Sequence, residues 1–377
     1  MGFLKRTTRR VPEEEKYFVA KPRQLMWWKY RKHKLAVVAL GVIVLMYLLA
    51  AFVEPLAPYN PEAKHLRHLY APPQGMHFWY DGKFHLWPAT YKLKFRIDAE
   101  TLREVYYEDP AEFSPVTMFH RGDRYRMWDL FETDIHVLGT DSGGTIFLFG
   151  TDGMGRDLLS RMMYGSRVSL SIGFIGVFLS FLLGIMLGGV SGYFGGVTDL
   201  MIQRIIEVLR SIPSIPLWMG LSAALPMTWS PLKVYFGITV ILSFLGWTGT
   251  ARAVRGKLLA LREEDFAMAA YLAGASNARI IRKHLLPSFL SHIIVSITLH
   301  IPGMILGETA LSYLGLGLRA PIISWGVLLK DCQNIQDVAL HPWLLFPVLF
   351  LMLVILSFNF MGDGLRDAAD PYAARTS

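Results

Sequence analysis

Residues 168–190 read VSLSIGFIGVFLSFLLGIMLGGV, 23 consecutive positions without Asp, Glu, Lys or Arg. A helix rises about 1.5 Å per residue, so this stretch covers the roughly 30 Å hydrocarbon core of a bilayer. Four more charge-free runs share that property: Leu35–Val53, Val234–Ala251, Phe289–Gly307 and Pro342–Met361. A sixth, Leu200–Pro226, carries Arg204, Glu207 and Arg210 near its start and is uncharged from Ser211 onward. It is counted as a span whose first turns project into the interface. The expectation is an all-α integral membrane protein with six transmembrane helices.

Bulk composition agrees. The chain has 377 residues, 53% hydrophobic and 18% charged, against about 25% charged in soluble domains. The net charge of +8 is unevenly placed. Residues 1–34 hold eleven Lys or Arg against three Glu, directly before the first apolar run. That is the pattern of a cytoplasmic flank and argues against a nucleic-acid partner. The first run starts too late for a secretory signal and no small-x-small cleavage site follows it, so it reads as a retained helix. Cys332 is the single cysteine, which rules out an intrachain disulfide.

Six crossings with residues 1–34 inside place 252–288 and 362–377 inside as well. The first of these carries Arg252, Arg255, Lys257, Arg262, Arg279, Arg282 and Lys283 against three acids. Outside, between spans one (35–53) and two, lies 54–150, a segment of its own. Alternation over Thr90–Ile97 reads as strand, and Asp81-Gly82 between His77–Tyr80 and Lys83–Trp87 reads as a hairpin turn. A small β-rich extracytoplasmic insert is expected there. Residues 151–361 form a five-helix core.

The inner loop is the most informative segment. Glu263, Glu264 and Asp265 suit a helix N-terminus. Gly274 ends that helix, Asn277 caps a second, and Pro287 follows it. Ala267, Ala269, Ala270 and Ala273 leave the first helix smooth. The residues alone leave two readings open: a surface that docks on a soluble partner, or a solvated loop whose alanines favour helix.

The loop resembles the coupling loop of binding-protein-dependent ABC importer permeases, whose pattern is Glu-Ala-Ala, three residues, Gly, nine residues, Ile, one residue, Leu-Pro. In register stand Met268, Ala269, Ala270, Gly274, His284, Leu286 and Pro287. Met268 replaces the usual Glu and His284 the usual Ile. Residues 149–161, 192–196, 308–317, 324–326 and 362–371 resemble motifs of the dipeptide/oligopeptide permease group, C-type subunit, in family order. Residues 60–148 do not match and exceed that group's usual outer loop.

The resemblance implies the type I ABC importer fold in a bacterial-type inner membrane, with both termini cytoplasmic. It implies a heterodimer with a homologous permease subunit, two cytoplasmic ATP-binding subunits that hold ATP and Mg, and an extracytoplasmic substrate-binding protein. Asp265, Ala267, Met268, Ala269, Ala270, Gly274, Ala275, Ser276 and Pro287 would form the ATPase-coupling surface. The cargo would be di- or oligopeptides; oligosaccharides or opines are the alternatives within the group.

No phosphate-cradling G-x-x-x-x-G-K-[ST] loop, His-x-x-x-His pair or cysteine cluster occurs in the sequence, so no cofactor, metal or catalytic site is expected on this chain. A secondary carrier or channel would need ionisable groups along a path, and most spans offer only His292 and His300. Three residues are candidates for a path or gate, each with a plainer alternative. Glu308 ends span five and could instead bond the following turn. Glu207 has Arg204 and Arg210 as ion-pair neighbours. His300 sits beside Pro302 and Gly303, where a packed histidine at a kink would serve. Gly184, Gly188, Gly192 and Gly196 recur at the four-residue spacing that lets helices approach closely.

Overall fold

The computed structural model describes residues 22–100, 104–140 and 144–369. Most of the basic N-terminal segment and the end of the 362–371 motif lie outside them. Helix α1 (Pro22–Lys32) leads into α2 (Lys34–Ala51), where His33 Nδ1 accepts the Ala36 amide, and then the short α3 (Val53–Leu56). The insert follows as β1 (His77–Tyr80), β2 (Lys83–Ile97), β3 (Glu104–Met127) and β4 (Phe131–Thr140). The remainder is helical: α4 (Leu158–Phe194), α5 (Gly196–Ser211), α6 (Ser214–Ala223), α7 (Pro231–Leu261), α8 (Asp265–Leu272), α9 (Asn277–Arg279), α10 (Leu286–Ser288), α11 (Leu290–Tyr313), α12 (Trp325–Lys330), α13 (Ile335–Leu340) and α14 (Phe346–Ala369).

Among the described residues, five stretches are long and apolar enough to cross a membrane: Lys34–Ala51, Leu158–Phe194, Pro231–Leu261, Ile293–Tyr313 and Pro342–Ala369. The expected sixth, Leu200–Pro226, is not one helix. Ile212 is extended (φ −90°, ψ 128°) ahead of Pro213, and the chain divides there into α5 and α6. The ring of a proline disfavours helical geometry in the residue before it. Two other boundaries also moved. α4 begins ten residues before Val168, capped by Asp157, whose Oδ2 accepts the Ser160 amide at 2.7 Å. α7 runs ten residues beyond Ala251, so the inner loop proper starts near residue 262.

The glycine repeat packs α4 against α7. A Cβ on Gly184 would stand 2.6 Å from Thr250 Cβ, on Gly188 2.4 Å from the Ala251 carbonyl oxygen, and on Gly192 2.8 Å from that of Arg255. Absence of a side chain is what lets the backbones touch. Contacts advance together along both helices, so α4 and α7 run in the same direction. Gly196 leaves the seam. With Gly195 it forms the turn into α5, at φ 56° and 65°.

α11 runs antiparallel to α4, Ile301 and Ile305 meeting Gly173 and Met304 meeting Gly176. Gly362 of α14 meets Leu299 and Thr298. The last helix returns to the first: Gly364 lies on Ala36, whose carbonyl accepts the buried Tyr30 hydroxyl at 2.7 Å. The start of α2 and the end of α14 therefore share one face of the bundle. Its core is Met162, Leu170, Ile172, Ile238, Leu242, Ile305, Leu311 and Trp325.

The insert is β-rich, as expected: a four-stranded antiparallel meander in the order β1-β2-β3-β4. Asp81 (φ 54°) and Gly82 (φ 69°) make the first turn, and both positive angles suit a two-residue hairpin. Ala71, Leu93 and Phe147 form a small core with Tyr59 and Tyr106. The segment leading into the sheet is stitched to the segment before α4: Gln74 Oε1 accepts the Phe147 amide, and Thr151 Oγ1 accepts the Ala71 amide.

Candidate functional site

The inner loop forms a helix–turn–helix. Glu264 is the first cap and Asp265 lies in the first turn of α8, as the acids suggest, although the Glu264 side chain makes no capping bond. Gly274 (φ 78°) terminates it with two backbone bonds, Ala275 N–H to Ala270 O (3.1 Å) and Gly274 N–H to Tyr271 O (3.0 Å). That pair is the Schellman arrangement, which needs a left-handed residue at the Gly274 position.

Two expectations fail in detail. Ser276, not Asn277, stands at the second cap, and Asn277 Oδ1 instead accepts the Tyr193 hydroxyl at 2.9 Å. Pro287 does not follow the second helix but lies inside α10; before it, Ile280–Leu285 takes wider π-helical spacing. Proline has no N–H to give to an earlier carbonyl, so the ladder is interrupted at that point.

One face of the loop is fixed. Ala267, Ile280, Leu285 and Phe289 are buried with Phe181 of α4 and Val254 and Leu258 of α7, and Ala270 and Ala275 pack at the margin. The other face is open: Phe266, Met268, Tyr271 and Leu272 are exposed apolar side chains, Leu272 at 81%. Ala269, Gly274 and Ser276 are exposed beside them, and a side chain on Gly274 would meet nothing within 4 Å. The buried edge thus seats the loop on the ends of α4 and α7, while the other edge presents apolar surface.

A polar brace stands behind it that the sequence reading missed. Arg255 donates through Nε and Nη2 to both oxygens of Asp199, at 2.5 Å each. The Arg255 guanidinium holds the Asp199 carboxyl below the usual carboxylate range. Arg262 Nη1 donates to Tyr193 O at 3.4 Å. The only signal for this pair was an acid three residues after the Gly195-Gly196 turn.

The three path candidates do not converge; none shares a hydrogen bond or ion pair with another. Glu308 is fully buried and accepts from the hydroxyls of Ser324 (2.6 Å), Ser312 (2.7 Å) and Ser169 (3.2 Å), joining α11 to α4 and to the start of α12. Glu207 is exposed and pairs with Arg204 at 2.7 Å. His300 lies beside a small apolar cavity with Phe181, Val254 and Phe289, its Nδ1 2.6 Å from Ser296 O. The side chain of His292 lies outside the described residues.

Two clusters tie the insert to the helices. Glu54, after α2, is bonded twice by Arg167 of α4 at 2.7 Å, and the Arg167 guanidinium lies 4.5 Å from the centre of the Trp128 ring. Burial alone would raise the Glu54 carboxyl, but the bonds from Arg167 outweigh it and hold it low. Before α4, Asp152 accepts from the amides of Met154 and Arg156, from Arg156 Nε and from Arg161. Among the described residues no group of three His, Cys, Asp or Glu could hold a metal ion.

Long apolar helices, an outlying sheet and a helix–glycine–helix loop with an open apolar edge define a multi-span membrane protein. The chain belongs to the binding-protein-dependent transport system inner membrane components, whose family model matches residues 180–375. Residues 21–73 match the N-terminal transmembrane domain of oligopeptide transport permease C. The chain is 43% identical over 224 residues to the oligopeptide transport system permease protein OppC of Haemophilus influenzae, covering 59% of this chain and 70% of that one. It is 41% identical over 234 residues to the dipeptide transport system permease protein DppC of Bacillus subtilis, covering 60% and 69%. With the DppC protein of Lactococcus lactis the match reaches 367 residues at 31% identity, 94% of this chain and 93% of that one. A match of that extent runs through 60–148, so a segment at that position is not confined to this chain.

Proposed function

We propose that this chain is one pore-forming subunit of an ATP-driven, binding-protein-dependent importer of di- or oligopeptides, with the type I importer fold. The relatives named for dipeptide and oligopeptide transport support the cargo. The observation that carries the mechanism is the loop 262–288, seated on α4 and α7 by Ala267, Ile280 and Leu285 and presenting Leu272, Tyr271 and Met268 outward.

The chain crosses the membrane six times. Parallel packing of α4 and α7 supports this, because two parallel helices need a return passage between them. α5 and α6 together span 26 residues, about 39 Å of helix. The shared face at Ala36 and Gly364 supports an even number of crossings. The basic residues around 252–288 put that loop, and with it both termini, in the cytoplasm. The insert then faces outward, on the side where a substrate-binding protein arrives. A homologous permease completes the pore, and two ATP-binding subunits carrying ATP and Mg sit beneath. Their closure pushes Asp265–Ser276; the fixed edge passes that displacement to the ends of α4 and α7.

Leu272→Asp tests this without disturbing the fold, since the side chain is 81% exposed. Loss of an apolar anchor at an interface costs about 2 kcal/mol, so retention of the ATPases in a pull-down weakens roughly thirtyfold. Peptide uptake into proteoliposomes falls with it. Unchanged ATPase retention and uptake in this variant sinks the docking role.

A further inference from the structure

We propose that the tip of the β3–β4 hairpin, residues 128–131, is seated in the phospholipid interface on the insert's side of the membrane. The inference goes beyond the transport role and requires only that α2 cross a bilayer.

Position is the first observation. Trp128 Nε1 donates to the carbonyl oxygen of Ala51, the last residue of α2, at 3.0 Å. The Trp128 amide reaches Glu54 Oε1 at 3.4 Å, and Arg167 covers the ring. The hairpin tip is thereby fixed at the level where the first apolar helix ends, which is the depth of the headgroups. Exposure is the second. Leu130 is 81% and Phe131 57% exposed, and Leu45, Leu48 and Phe52 are exposed on the adjoining helix end. The apolar outer surface of α2 thus continues onto the tip. Backbone geometry is the third. Trp128 (φ 51°) and Asp129 (φ 57°) are both left-handed, a conformation that is strained for a bulky residue and persists only where the surroundings hold it. Here the hairpin turn itself, closed by Leu130 N–H to Met127 O at 2.9 Å, calls for both angles, the Trp128 contacts fix its place, and the result is to present Leu130 and Phe131 at the membrane edge.

The chemistry names the occupant. Aromatic side chains with one polar edge concentrate at the headgroup boundary. Charge around the tip carries no cationic excess, Arg121, Arg124 and Arg126 standing against Asp123, Asp129, Glu132 and Asp134. The partner is therefore the bilayer interface itself, entered by apolar side chains, and not an anionic lipid selected by charge.

The test uses the assembled transporter in nanodiscs of phosphatidylcholine, with Cys332→Ser to remove the native thiol. A bimane label is placed through Leu130→Cys, Phe131→Cys or, as a comparison, Leu86→Cys, which is 89% exposed on β2 and distant in sequence from the tip. Lipids brominated on the acyl chain quench the label at 130 and at 131 severalfold more than at 86, while aqueous iodide quenches it best at 86. Equal iodide quenching at all three positions overturns the proposal in favour of a water-exposed hairpin. Shielding of 130 and 131 from both quenchers overturns it in favour of a covering protein subunit.

Discussion

Gly188 and Gly189 are chain neighbours with opposite obligations. A Cβ on Gly188 would press into the backbone of Ala251, whereas one on Gly189 would meet only Leu258 Cδ1 at 3.9 Å. Gly188→Ala is expected to cost about 1–3 kcal/mol, as overpacking does. Gly189→Ala is neutral or stabilising by up to about 1 kcal/mol through helix propensity. Thermal unfolding in detergent separates the two. Asp157 gives a second prediction. Its carboxyl is fully buried, Oδ1 lacks a hydrogen-bond partner, and burial pushes its pKa from 3.8 up to about 7. The folded state then holds the proton that the unfolded state releases, so this stabilisation is complete below pH 3.8 and fades as pH rises to about 7. The unfolding midpoint of the native chain should fall across that window relative to Asp157→Asn, which keeps a capping oxygen and does not titrate. Parallel slopes in the two proteins would refute the buried proton. At this scale the sequence revealed the glycine spacing, because the repeat is local. It hid which glycines touch, because Thr250, Ala251 and Arg255 lie more than sixty positions away.

Elements whose cues are local were legible. The Asp81-Gly82 turn and the Gly274 stop follow from backbone conformations that few residues adopt, and both stand where the sequence put them. The ends of α4 and α5 were not legible. A hydropathy reading halts at Arg167 and Arg161, yet the helix continues through them because Glu54 and Asp152 neutralise both. The first partner is 113 positions distant. Conversely, Leu200–Pro226 is apolar enough to be taken as one segment, and only Pro213 records its division. The strap between insert and helices can be cut. Arg167→Met leaves Glu54 buried and unpaired, at a cost of about 3 kcal/mol, the low end for such pairs because Arg167 is 27% exposed. Hydrogen exchange should quicken at 50–56 and 118–136, with the glycine seam unchanged. Uniform exchange throughout the chain would show that the strap holds nothing.

For the whole molecule, sidedness is the decisive measurement. In a Cys332→Ser background, a cysteine at Leu86 is expected to react with an impermeant maleimide added outside, and one at Leu272 only after the inner face is opened. The reverse pattern would invert the transporter. The family was legible through motif order and not through physics, since an apolar bundle with Glu308 enclosed by three serine hydroxyls offers no cargo chemistry of its own. The α4–α7 seam has one mechanical consequence. Two rods welded side by side, with bare backbone where other bundles interpose pliable side chains, cannot shear lengthwise or open a gap. They tilt as a single spar. A displacement at one tip is therefore expected to reach the far rim, and bending is to be sought instead at the joint between α5 and α6 around Pro213.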